Sequence, residues 1–176
     1  MRNAGLIAWV FQDWEVNAGR PENRLILAWF RLAQRAHNRW GLPGKLAVCY
    51  PYRLVTTLLL SIELPVRAEV GPRLRLVHKC GIVVHERAVI GADCRLRHGV
   101  TIGAKLDREG RTTAVASIGD DVEFGAGSMV IGVDVGDHAR IGALAIVTKP
   151  VPAWAVVAGN PGRVVRIDAP AAVPAA

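Results

Sequence analysis

The stretch LVHKCGIVVHE, Leu76 to Glu86, gathers His78, Cys80 and His85 among glycine and β-branched residues. Those types admit three readings: metal ligands, a histidine base, or a strand with polar decoration. An imidazole titrates near neutral pH, so it can take a proton from a hydroxyl. Two histidines seven residues apart with one cysteine are a sparse ligand set. Cys49, Cys80 and Cys94 are odd in number and lack C-x-x-C spacing. That argues against a disulfide framework or a structural zinc site, and predicts free, mostly buried thiols.

The elements that must position these groups fall into two parts. The chain has 176 residues, 51% of them hydrophobic, which suits one buried core with a small appendage. Its longest apolar run, Leu54 to Ile62, is closed by Arg53 and Glu63. A bilayer span needs about 20 residues, so no membrane span is expected. The N-terminal apolar stretch meets Gln12 and Asp13 early and lacks a signal-peptide pattern, so a cytoplasmic protein is expected. The net charge is +7 and uneven. Residues 1–62 hold eight Lys/Arg against three acids; residues 63–168 hold fourteen against twelve. Without a nucleic-acid motif, the basic part reads as a solvated face that also suits anionic small ligands. Nucleic-acid and membrane partners are not expected.

Residues 1–62 read as an α-helical N-terminal domain. In PENRLILAWFRLAQRAHNRW, the residues Leu25, Trp29, Leu32 and Ala36 recur on one helix face. Pro21 suits a first turn, and Gly41, Pro43 and Gly44 end the segment. A further apolar segment, about 45–62, is interrupted at Pro51. Trp9, Trp14, Trp29 and Trp40 are expected in the core or at subunit contacts.

From residue 63 to 168 the period changes to six. Val70, Leu76; Val84, Ile90, Leu96, Ile102; Ile118, Phe124, Val130; and Val135, Ile141, Val147 mark the steps. A small residue often follows: Gly71, Gly91, Gly103, Gly119, Gly125, Gly142. This is a hexapeptide repeat, in which each unit is a short strand and a corner. The aliphatic residue points inward, three units make a coil, and stacked coils bury what one coil cannot. The rhythm breaks three times. The step from Leu76 to Val84 is eight, which makes a bulge holding His78. The step from Ile102 to Ile118 is sixteen, and AKLDREGRTTAVAS reads as a loop thrown from a corner. The step from Val130 to Val135 is five, one residue short. Residues 169–176 read as a flexible tail.

The segment from Glu63 to Arg166 resembles the hexapeptide-repeat acyltransferases, in particular the serine acetyltransferase branch and its relatives that acetylate sugars in polysaccharide synthesis. The matching elements are Ile62-Glu63-Leu64-Pro65, His78-Lys79-Cys80-Gly81-Ile82-Val83-Val84, Val100-Thr101-Ile102-Gly103, Phe124-Gly125-Ala126-Gly127-Ser128, Ile141-Gly142-Ala143 and the tail AGNPGRVVR from Ala158. The resemblance implies a left-handed parallel β-helix, homotrimers or dimers of trimers, and acetyl-CoA as co-substrate lying in a groove between subunits. It implies acetyl transfer to a hydroxyl, or an amine, of a small acceptor, without a metal.

On that resemblance His78 is the general base. Glu63, fifteen residues earlier, is the acid that orients it, brought close by coil stacking. Gly103, Ala104, Ala126 and Ala143 match positions where the cofactor runs close to the backbone, and Lys149 and Arg163 are placed to hold its phosphates. His98, near a corner, could line the groove. His85 follows core-facing Val84 and should face outward; His37 and His138 read as surface residues.

The acceptor half departs from the family. Val77 stands where serine acetyltransferases have an aspartate, and Ala114-Val115 where they carry an Arg-His pair. Arg108 and Arg111 remain in the loop for an anion. A sugar hydroxyl therefore stands beside serine as acceptor. Two other classes differ in kind. One is a non-catalytic β-helix scaffold; the other is a β-helix metal enzyme, for which His78, His85 and His98 lack a convincing spacing.

Overall fold

The computed structural model describes residues 5–170; the tail expected over 169–176 lies, from residue 171 on, outside them. Helices come first: α1 (Leu6–Val10), α2 (Pro21–Arg39), α3 (Gly41–Gly44) and α4 (Tyr50–Leu60). Pro51 does not interrupt the later segment. The turn before it, Lys45–Cys49, is π-helical, and Pro51 falls in the first turn of α4, where no N–H is needed. None of these helices is long and apolar enough to cross a membrane.

The buried face of α2 is not the one its large apolar residues suggest. Leu25 is 64% exposed, Trp29 and Leu32 are half-buried, and of the four expected residues Ala36 is buried. The buried row instead includes Asn23, Ile26, Leu27, Phe30, Arg31 and Gln34. Its three polar members are buried because they have backbone partners on the first coil of the second region.

That region is the expected left-handed parallel β-helix. One sheet stacks β1 (Ile62–Glu63), β4 (Ile82–Val84), β7 (Thr101–Leu106), β11 (Met129–Ile131) and β14 (Ile146–Val147). The second stacks β2 (Glu69–Val70), β5 (Val89–Ile90), β9 (Ser117–Ile118) and β12 (Asp134–Val135). The third stacks β3 (Arg75–Leu76), β6 (Arg95–Leu96), β10 (Glu123–Phe124), β13 (Arg140–Ile141) and β15 (Ala155–Ala158), closed by antiparallel β16 (Arg163–Ile167). Repeat aliphatics pair directly in the ladders, Leu76 on Leu96 on Phe124 on Ile141 on Val157. Each is buried. A second inward row sits two residues earlier: Ala88, Cys94, Val100, Ala116, Val122 and Ser128, all buried.

The three breaks in rhythm each have a structural form. Leu76 pairs with Leu96, so the first coil takes twenty residues, and the extra two widen the corner between β3 and β4. The sixteen-residue step holds a hairpin, β7 against antiparallel β8 (Thr112–Val115), projecting from the stack. Phe124 pairs with Ile141, seventeen residues on, which absorbs the five-residue step.

A stacked coil satisfies its neighbours' backbone, but the first coil has none below it, and an open sheet edge invites pairing with other chains. The helical region covers that end. Arg31 is fully buried and uses all five N–H donors: two to the Asp13 carboxylate (2.7 and 3.1 Å), one to Gln34 Oε1 (3.1 Å), one each to the carbonyls of Val70 (2.7 Å) and Gly71 (2.6 Å). Asp13 Oδ1 also accepts from the Leu74 N–H at 2.9 Å. Asn17 donates to Leu74 O (2.9 Å) and accepts from the Leu76 N–H (3.1 Å). Gln34 donates to Ala68 O and the Tyr52 hydroxyl to Leu64 O, both at 2.9 Å.

The thiols correct one expectation. Cys94, in the inward row, is buried, and desolvation pushes its pKa up to about 12. Cys49 is half-buried. Cys80 is exposed in the wide corner instead of packed, because that corner stands clear of the core.

Two outcomes follow. Asp13→Ala strands a buried guanidinium and should cost about 3–5 kcal/mol in urea unfolding, and a loss below about 1 kcal/mol would contradict the cap. With a thiol-reactive dye at pH 8, Cys80 should react in the native protein and Cys94 only after unfolding; the reverse order would contradict the register.

Candidate active site

Where the third sheet turns into the first, the coils stack their corner residues into a column. The Gly99 N–H donates to Cys80 O (3.1 Å), the Gly127 N–H to His98 O (2.9 Å) and the Leu144 N–H to Ala126 O (2.9 Å). Cys80, His98, Ala126 and Ala143 therefore lie one above another. Gly81, Gly99 and Gly127 follow them with φ of 66°, 70° and 69°, a left-handed turn that glycine adopts without steric cost.

His78 occupies the widened part of the first-coil corner and is exposed. Its ring meets that of His98 edge to face, with centroids 5.1 Å apart and planes at 69°. Two imidazoles thus sit at the foot of the column, and above them Ala126 and Ala143 offer nothing beyond a Cβ. The column thus runs from small side chains at Ala126 and Ala143 to two adjacent imidazoles.

The hairpin leaves the stack beside this corner. Gly103 and Ala104 lie in β7, and Ala104 pairs with Val115 across the hairpin. A Cβ on Gly103 would meet Ile131 Cδ1 at 3.2 Å, so its small size also serves packing of the next coil. Lys105 Nζ donates to Thr148 O at 3.2 Å and ties the hairpin to the stack next to exposed Lys149. Arg163 is exposed on β16 and donates to its neighbour Gly162 O at 3.0 Å. Arg111, expected to bind an anion, is committed elsewhere: its guanidinium meets Asp107 at 2.7 Å and Glu109 at 3.2 Å in the hairpin turn. The hydrogen bond from Arg111 holds the Asp107 carboxyl below its ordinary pKa. Arg108 is exposed in the same turn.

Glu63 is not brought to His78 within the chain. The first coil's length is the reason: the residue stacked on Glu63 is Val83, five beyond His78. Among the described residues the two share no hydrogen bond or ion pair. Glu63 lines a cavity of about 600 Å³ between α4 and the first coil, with Lys45, Arg53, Tyr52 and Thr56.

The other histidines lie apart from this corner. His85 follows β4 at the next corner, half-buried, its Nδ1 accepting the Arg87 N–H at 3.2 Å. His138 belongs to a third corner, where Arg73, Asp93, Asp121, His138 and Trp154 repeat a left-handed backbone turn. It stacks on Trp154 at 4.0 Å and meets Asp121 at 3.2 Å. His37 has its pKa lowered by burial and then by Lys45 and Arg67. Among the described residues no three His, Cys, Asp or Glu side chains group to hold a metal ion.

Sequence reasoning missed the helical contribution to the corner. Asn23 donates to Leu76 O at 2.7 Å, and Glu22 pairs with Lys79 at 3.7 Å. The available signal was a polar row, Asn23, Arg31 and Gln34, that falls on the same helix face as Leu27 and Phe30.

Comparison with known proteins agrees with the repeat and the fold. Residues 115–149 match the model described as the hexapeptide repeat of succinyl-transferase. The chain is 39% identical over 116 residues to a serine acetyltransferase of Mycobacterium tuberculosis, covering 65% of this chain and 50% of that protein. It thus spans about half the length of that curated relative. Among solved structures, a soybean serine acetyltransferase complexed with serine superposes with a TM-score of 0.75 at 26% identity, covering 91% of this chain and 69% of that one. A serine acetyltransferase in complex with CoA gives 0.74 at 25% identity, covering 93% and 71%. By repeat, coil register and sequence likeness, the chain is similar to the hexapeptide-repeat acyltransferases, and most similar among the proteins named here to serine acetyltransferases.

Proposed function

We propose that the protein transfers an acetyl group from acetyl-CoA to a hydroxyl of a small acceptor, with His78 as general base. One observation carries the reading: His78 and His98 meet at the foot of a corner column whose upper positions are Ala126 and Ala143. Two relatives of this fold are serine acetyltransferases solved with CoA and with serine. In the proposed reaction His78 removes the hydroxyl proton as the oxygen bonds to the thioester carbonyl carbon. It then returns that proton to the departing thiolate. The small residues of the column leave room for the pantetheine arm, and Lys149 and Arg163 are the exposed cations assigned to its phosphates. Glu63 holds the supporting carboxylate role by resemblance. His98, in contact with His78, is assigned to the acceptor side.

The acceptor reading favours a sugar hydroxyl over free serine. Val77 gives the corner an apolar side chain in place of the family's aspartate, and Ala114-Val115 gives the hairpin neither the arginine nor the histidine of the family pair. The guanidinium of Arg111 is already paired within the turn. A free amino acid would find few groups for its ammonium and carboxylate. Assembly as a homotrimer, or as paired trimers, belongs to the same proposal. The exposed row Leu46, Tyr50, Leu54 and Leu58 on the helical region is an apolar surface suited to subunit contact.

The test is acetyl-CoA consumption against serine, homoserine, a panel of sugars and simple amines. A sugar should be the preferred acceptor, His78→Ala should lower kcat about 10²–10⁴-fold, and Glu63→Gln should lower it less. Undiminished turnover in His78→Ala would remove the base assignment, and failure of the wild type to bind CoA by calorimetry would remove the enzyme class.

A further inference from the structure

The backbone entering the His78 corner is held from below by side chains, where every later coil has another coil. Above it the ladder is ordinary, with the Val77 N–H donating to Leu96 O at 2.8 Å. Below it, the Leu76 N–H donates to Asn17 Oδ1 at 3.1 Å and Leu76 O accepts from Asn23 Nδ2 at 2.7 Å. Both asparagines are buried, at 0% and 1% exposure. One residue past the histidine, Lys79 meets Glu22 at 3.7 Å. Glu22 and Asn23 are consecutive in the first turn of α2, so this single turn brackets His78 on both sides.

Asn23 carries a cost that its neighbours do not. Its Oδ1 is buried without a hydrogen-bond partner. Arg31 and Asn17 use both ends of their side chains on the cap. An orphaned amide oxygen in a buried place costs stability, which offsets part of what the bond to Leu76 O contributes. What Asn23 does provide is one donor at the last strand residue before the corner.

We propose that Asn23 is a positioning residue for His78: by fixing Leu76 O it sets the backbone from which the imidazole projects against His98. This rests on the reading of His78 as the base. The widened corner makes such a hold necessary, because its two extra residues have no counterpart in the next coil to register against.

The test compares Asn23→Ala with Gln34→Ala, which removes the 2.9 Å bond to Ala68 O on the far side of the same coil and the acceptor of one Arg31 donor. Two readouts are taken: kcat and KM for acetyl-CoA with the acceptor found in the panel, and the ¹³Cε1–H resonance of His78. Asn23→Ala should lower kcat about tenfold or more, as a small misplacement of a catalytic group does. KM for acetyl-CoA should stay within about twofold, and the His78 resonance should broaden or split. Gln34→Ala should lose stability yet leave kcat and the resonance as in the wild type. An unchanged kcat and resonance in Asn23→Ala, or an equal fall in kcat in Gln34→Ala, would overturn the proposal. If Asn23→Ala does not fold, Asn23→Leu keeps the volume, removes the donor without burying a charge and is read in the same way. If the wild type transfers no acetyl group to any acceptor, the functional reading fails, and the His78 resonance alone decides whether Asn23 positions the ring.

Discussion

A parallel β-helix has an end, and in this protein the end is closed by one buried guanidinium. Arg31 reaches the carbonyls of Val70 and Gly71 while its remaining donors are taken by Asp13 and Gln34. A buried charge is tolerated only when it is paired and fully hydrogen-bonded, and here every donor has an acceptor. The arrangement ties three stretches of chain together: the turn at Asp13, helix α2 and the edge of the first coil. Its worth is chiefly specificity. An apolar helix face could cover the same area, but it could not satisfy an unpaired edge or fix which backbone atoms it lies on.

The cap also accounts for the wide corner of the first coil, where the proposed chemistry is assigned. Interior coils register against each other, and the long insertion among them leaves the stack as a hairpin. The first coil borders on helices, so it can carry two extra residues, and those residues lift His78 out of the ladder. In the column above, corner positions repeat with each coil and can be kept small, as at Ala126 and Ala143. The corner where His138 stacks on Trp154 follows the same geometry with large side chains, and forms a packed ladder.

Much of this was legible in the sequence, for a physical reason. A six-residue period fixes which side chains point inward, so the aliphatic ladder and the widened corner could be read from spacing. The hairpin showed itself as a polar insertion. The contacts of Glu63 could not be read the same way. Fifteen residues is close to a standard coil, but the first coil takes twenty, and Glu63 stacks on Val83. Helix α2 misled differently: one apolar row suggested one face, while the buried face mixes Ile26, Leu27 and Phe30 with polar side chains whose partners are backbone groups in another region. Spacing within a helix carries no record of such partners. The exposure of Cys80 escaped for a related reason, since composition favours burial and only the width of the corner denies it.

The central claim is that the corner carrying His78 and His98 is where the protein does its chemistry. The most direct measurement is a crystal structure of the protein with CoA. The CoA sulfur should lie within hydrogen-bond reach of the His78 imidazole, with the pantetheine arm passing Ala126 and Ala143. CoA seated at another corner, with its sulfur remote from both imidazoles, would contradict the claim.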